Sequence, residues 1–219
     1  MFFQSAMKIK FNSIQDLSDA RYASAAMAEW MGFAVGELPV DKVQEIIGWC
    51  SGPKLTLELP SVDQLETAIS WCNILPIEAI ECPIEEYTFW HPSLHTENIE
   101  WILLCRDNPS PPPTINTDNH PNRQDVLPTA HETFNWQLWK EICKDNLPTK
   151  PHWYHFEKFN PNPSPTNNTI YHINPDESNA IWVKNHHCEA ISLQCKKETV
   201  LGMKNYDLWN ELLENLGVW

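Results

Sequence analysis

The sequence predicts an α/β fold, a (β/α)8 (TIM) barrel with one or two degenerate units in its second half. Three observations carry that expectation. Lys8 to Gly36 packs strand, helix and strand into one short unit. Three successive strand-helix steps of roughly 20 residues argue for parallel strands with covering helices. Further strand-like runs bring the candidates to eight along 219 residues, a length that suits one domain spanning 7–219. Met1 to Ala6 (MFFQSA) is read as a cloning remnant or disordered N-terminus and left out of the fold.

In the first unit, Lys8-Ile9-Lys10-Phe11 alternates polar and apolar, and Leu17 to Trp30 carries apolar residues at helical spacing. Asp16 or Ser18 caps that helix, its alanines let it lie close to a sheet, and Met31 to Val35 is the second strand. Pro39 to Cys50 follows as a helix with Val40, Val43, Ile46 and Ile47 on one face. Lys54 to Leu59 is the third strand, Ser61 caps the next helix, and Ile77 to Cys82 is the fourth strand. The regularity then fades: Ile84 to Trp90 reads as a short helix and Ile99 to Cys105 as a buried strand. Arg106 to Ala130 is a proline- and asparagine-rich loop or a degraded unit. Phe134 to Asp145 is a helix, His152 to Phe159 a strand, Thr169 to Ile173 another, and Pro175 to Asn185 a helix. Ala190 to Cys195 is the last strand, and Asn205 to Leu216 an amphipathic terminal helix.

The formal charge of -14, with arginine only at positions 21, 106 and 123, would repel a polyanion, so nucleic acid and anionic membranes are not expected as partners. No apolar run approaches the roughly 20 residues that span a bilayer, and the expected location is the cytoplasm. The seven scattered cysteines lack the spacing of a zinc site or a disulfide scaffold. His152, His155, His172 and His186-His187-Cys188 are the metal-ligand residue types, but strand alternation separates His152 from His155, and no metal and no cofactor is expected. The tryptophans at 30, 49, 71, 182 and 209 are expected to pack between helices and barrel.

One family resemblance runs along the chain. Lys10, Ile14, Leu17, Asp19-Ala20, Ala25, Ala28 and Gly32-Phe33 resemble the first unit of phosphoribosylanthranilate isomerases, (β/α)8-barrel enzymes of tryptophan synthesis. Glu132-Thr133-Phe134-Asn135-Trp136 is similar to the family's Lys-Thr-Phe-Asp-Trp before helix six, and Ile173-Asn174-Pro175-Asp176 to its Leu-Asn-Pro-Glu after strand seven. Glu198, Gly202, Lys204 and Asp207 match the spacing of its tail.

The resemblance implies an Amadori rearrangement at the C-terminal face of the barrel, with a cysteine base ending strand one and an aspartate acid ending strand six, and a small phosphorylated ligand held by backbone amides. At the base position stands Asn12, whose carboxamide accepts no proton at useful pH, followed by Ser13 where the family has glycine. Asp125, with Asp118 behind it, is the acid candidate, the alternative being a solvated loop carboxylate. Tyr171-His172 stands where two glycines are expected, and Gln194-Cys195-Lys196 replaces Ser-Ser-Gly, so the phosphate cradle is missing. Glu81 places a negative charge where the family has glutamine, while Lys196 offers a cation.

The expected function is therefore an isomerase-like barrel whose chemistry is lost or changed, a binding or partner protein with no partner named. The alternatives are an active isomerase with a relocated base, such as Cys195, and a metal-dependent enzyme using the histidines.

Overall fold

The structure is a computed structural model and describes residues 7–94, 99–105, 152–156, 168–175, 177–185, 188–195 and 204–218. Eight strands close into an all-parallel barrel in chain order: β1 (Lys8–Asn12), β2 (Trp30–Ala34), β3 (Lys54–Glu58), β4 (Ala79–Pro83), β5 (Glu100–Cys105), β6 (His152–Phe156), β7 (Thr169–His172) and β8 (Ala190–Gln194). The seam is continuous, since β1 pairs with β8 from Lys8 opposite Ala190 to Asn12 opposite Gln194. The helices α1 (Leu17–Ala25), α2 (Val40–Ile47), α3 (Leu65–Ile74) and α4 (Tyr87–Leu94) follow the first four strands. Later come α5 (Glu177–Asn185) before β8 and α6 (Asp207–Leu216) after it.

Alternation along each strand sorts side chains into two buried layers. Outward residues such as Phe11, Phe33, Leu57, Ile80, Leu103, Tyr171 and Leu193 pack against Ala20, Ala23, Val43, Ile46, Ala68, Val183 and Leu212 of the helices. Ala20 and Ala23 of α1 are buried at that contact, where a larger side chain would push helix from sheet. Inside the ring a separate apolar cluster, Trp30, Ala79, Ile102, Trp153, Ile170 and Ala190, forms a floor. Trp30 and Trp153 meet edge to face at 4.9 Å and both donate indole N–H to Glu100, at 3.0 and 2.8 Å. Lys8 Nζ lies 4.3 Å from the Trp153 ring centre, and Lys54 joins Glu29 and Glu100 at 2.9 and 3.1 Å.

Several expectations need correcting. The first helix ends at Ala25, not Trp30: Met27 takes φ 51°, a left-handed conformation that breaks the helix. Trp30 consequently belongs to β2 and points into the barrel, and Trp49 is 67% exposed rather than packed. Glu132 to Trp136, matched to a motif before helix six, falls between β5 and β6 in the chain and lies outside the described residues. The proline-rich stretch 106–130, the helix expected over 134–145, His186, His187 and Cys143 lie outside the described residues. Among the described residues no helix is long and apolar enough to cross a membrane.

Candidate functional site

At the C-terminal ends of the strands, the inward side chains above the apolar floor are mostly polar, and Lys10, Asn12, Glu58, Glu81, His155 and Ser192 among them are buried. Their centre is Lys10 on β1, fully buried. Its ammonium lies 2.8 Å from Glu58 Oε1 and 3.2 Å from Glu81 Oε2, and also donates to Asn12 Oδ1. Burial disfavours the charged amine, but Glu58 and then Glu81 outweigh it and the Lys10 pKa ends above its ordinary value. The two carboxylates separate in character. Burial pushes Glu58 up, with Lys10 pulling against it and Glu81 adding repulsion. Burial also acts on Glu81, but Lys10 and His155 overcome it and hold its pKa at about 2. One lysine thus serves two acids, of which Glu81 is the firmly ionised one.

The remaining links are specific. Ser13 N–H and Oγ–H both donate to Glu58 Oε2 at 3.0 Å. Ser13 adopts φ 51°, a conformation that costs a non-glycine residue about 1–2 kcal/mol and that these two bonds offset. His155 on β6 bridges Glu81, at 2.7 Å from Nδ1, and Ser192 of β8, at 2.6 Å from Nε2. His172 Nδ1 is 3.3 Å from the same Ser192 hydroxyl. Behind β1, Asp19 at the start of α1 accepts from Lys204 and, at 3.1 Å, from Tyr206, tying the loop that carries Ser13 to the segment before α6.

Above this network opens a cavity of about 320 Å³, lined by Asn12, Ser13, Ala34, Glu37, Glu58, Leu59, Pro60, Glu81, Leu104, His155, His172 and Gln194. Of the residues singled out in the sequence, Asn12, Ser13, Glu81, His155, His172 and Gln194 therefore meet in one place. Cys195 does not: it is buried away from the cavity, where burial and the charge of Asp19 push its thiol well above the ordinary range. Tyr171 also turns away, packing on Trp182 at 5.4 Å and leaving His172 at the mouth. Asp125 and Lys196 lie outside the described residues, and Asp125 belongs to the segment joining β5 to β6, ahead of the strand at whose end an acid was expected. The inward residue near the end of β6 is His155. Among the described residues no group of three or more His, Cys, Asp or Glu is arranged to hold a metal; Lys10 occupies the space between Glu58 and Glu81.

Sequence reasoning missed Glu58 and Ser192, and it named Lys10 and His155 without placing either in this network. The alternation of β1 was the available signal for Lys10, because both faces of a parallel barrel strand are covered, so the polar face opposite Ile9 and Phe11 has the interior to meet. Gly32 is part of the same construction. A Cβ there would lie 1.8 Å from Glu58 Oε1, so only glycine lets the carboxyl lie across β2. Gly32→Ala is expected to cost about 1–3 kcal/mol in thermal denaturation. In a Glu58→Ala background the same change should be nearly silent; an equal cost there would show that Glu58 is not what the glycine accommodates.

No protein-family model matches the sequence, and no curated protein does. Solved structures do. N-(5'-phosphoribosyl)anthranilate isomerase from Pyrococcus furiosus matches with a TM-score of 0.63 at 15% identity, over 96% of this chain and 98% of that one. The enzyme from Thermus thermophilus matches with a TM-score of 0.61 at 15% identity over the same shares. A phosphoribosyl anthranilate isomerase in complex with reduced 1-(o-carboxyphenylamino)-1-deoxyribulose 5-phosphate matches with a TM-score of 0.63 at 12% identity, over 97% and 100%. At such identities the likeness establishes a shared (β/α)8 barrel.

Proposed function

We propose that this chain is a phosphoribosylanthranilate isomerase-like barrel in which the family's isomerase activity is lost or altered and a small-molecule cavity is kept at the C-terminal face. The observation that carries the reading is Asn12. Its carboxamide stands at the end of β1, where the resemblance calls for a thiol, and its oxygen is engaged by Lys10. At the end of β6, His155 is bound on both ring nitrogens by Glu81 and Ser192. Cys195, the alternative base, is buried and held in its thiol form.

Charge supports the same reading. The described cavity lining carries Glu37, Glu58 and Glu81, and the ammonium of Lys10 lies beneath it, already shared by two of them. A phosphorylated ligand of the kind the resemblance implies would need its cation from outside that lining, and Lys196 is the residue the sequence offers.

The purified chain is expected not to convert N-(5'-phosphoribosyl)anthranilate, nor to rescue a tryptophan auxotroph lacking the isomerase. Turnover by the unaltered chain would overturn the reading in favour of an active isomerase with relocated groups. Asn12→Cys is expected to remain inactive, because β6 still presents an imidazole locked between two partners. Activity gained in that variant would place the whole loss on one side chain.

A further inference from the structure

Four side chains from four strands form one hydrogen-bonded line across the barrel. Glu81 Oε2 on β4 is 2.7 Å from His155 Nδ1 on β6, His155 Nε2 is 2.6 Å from Ser192 Oγ on β8, and Ser192 Oγ is 3.3 Å from His172 Nδ1 on β7. The first three members are 6%, 3% and 0% exposed, whereas His172 is only partly buried and lines the cavity. Carboxylate, imidazole, hydroxyl and imidazole alternate so that each contact joins a group able to give a proton to one able to take it. Ser192 is fully buried and absent from the cavity lining, so its hydroxyl can pass a proton but cannot attack a ligand.

We propose that this line is a proton relay opening into the cavity at His172, which makes the mouth of the barrel an acid-base site for a small uncharged or cationic molecule. The proposal rests on the reading above, in which the family's acid and base are gone, and adds that another pair stands in their place. In the forward step a bound ligand gives a proton to His172 and keeps the electron pair, leaving as its conjugate base. His172 passes the proton on Nδ1 to Ser192 Oγ, and the Ser192 hydroxyl proton passes to His155 Nε2. The transferred proton rests as a His155 imidazolium against the Glu81 carboxylate, and reversal returns it. Among the described residues, the titratable and charged groups around that imidazolium are Glu81 beside it, Lys10 at 3.2 Å from the same Glu81 oxygen, Glu58 on the far side of Lys10, and the His172 ring, whose centre is 6.4 Å away. The carboxylates of the lining decide the ligand's charge, since an anion would enter against Glu37, Glu58 and Glu81.

The test is a titration of histidine ring signals by NMR on the full chain without ligand, with signals assigned from His155→Asn and His172→Asn. Replacing His155 by Asn should move the His172 midpoint by about one pH unit, the size at which two groups titrate as a pair. In Ser192→Ala that response should fall below half; Ser192→Cys, which keeps a weaker donor, should lie between and serves if the alanine variant does not fold. A His172 midpoint indifferent to His155, or a response undiminished without the serine hydroxyl, overturns the relay. Inorganic phosphate at millimolar concentration should leave the His172 signal in place, and a phosphate-induced shift overturns the ligand class. These readouts need no turnover. A chain found active on N-(5'-phosphoribosyl)anthranilate would sink the earlier reading while the titration still decided this one.

Discussion

Lys10→Met is expected to destabilise the barrel by about 3–5 kcal/mol at pH 7, the usual consequence of removing one partner from a buried ionic group. The lysine is fully buried, and its loss strands Glu58 and Glu81 inside the ring without a cation. The deficit should shrink on acidification, as the stranded carboxyls take up protons. The triple variant Lys10→Met, Glu58→Gln, Glu81→Gln should recover most of the loss, because replacing every charge costs far less than leaving some unpaired. Urea denaturation at pH 7 and pH 5 measures all of this. A single variant as stable as the parent would show that the two glutamates never depended on Lys10.

The second large effect separates those two acids. Glu81→Gln is expected to lose about 3 kcal/mol at pH 7, from a pKa held near 2 instead of the ordinary 4.5. A depressed carboxyl stabilises the fold above its unfolded value and surrenders that contribution as pH falls from about 4.5 toward 2. Glu58 runs the other way. Its pKa is raised, so its contribution is present at acid pH and disappears as pH climbs past 4.5 through the folded value. At neutral pH Glu58→Gln should therefore be neutral or mildly stabilising. Stability of the parent should rise slightly on mild acidification and then fall; Glu58→Gln should lack the rise, and Glu81→Gln should lack the fall. Identical pH profiles for the two variants would refute the division of roles.

Much of the barrel could be read before any coordinates, because strands buried on both faces and helices with one apolar stripe leave strong periodic signals. Every strand expected between Lys8 and Cys195 is present within a few residues of its expected bounds. The site was less legible, for a geometric reason. Alternation in β1 marked a strand without saying what its polar face meets; ring closure makes that face an interior, so Lys10 meets Glu58 and Glu81 from distant parts of the chain. Trp30 was misread for a similar reason: it sits just past a helix pattern, and only the left-handed turn at Met27 hands it to β2. His155 was recognised as a residue type able to bind metal, yet its role comes from Glu81 and Ser192, which sequence separation hides. Asn12 was singled out because the resemblance expects a thiol at the end of the first strand, and it lines the cavity there.

The seam between β1 and β8 bears on how the molecule is made. Lys8 cannot find Ala190 until β8 has left the ribosome, so during synthesis the first strand waits with one edge open. Its lysine, however, gains Glu58 and Glu81 from the third and fourth strands much sooner. A nascent chain can thus neutralise its most awkward charge long before the ring is shut, and the exposed rim of the first strand is the stretch a chaperone has most reason to shield.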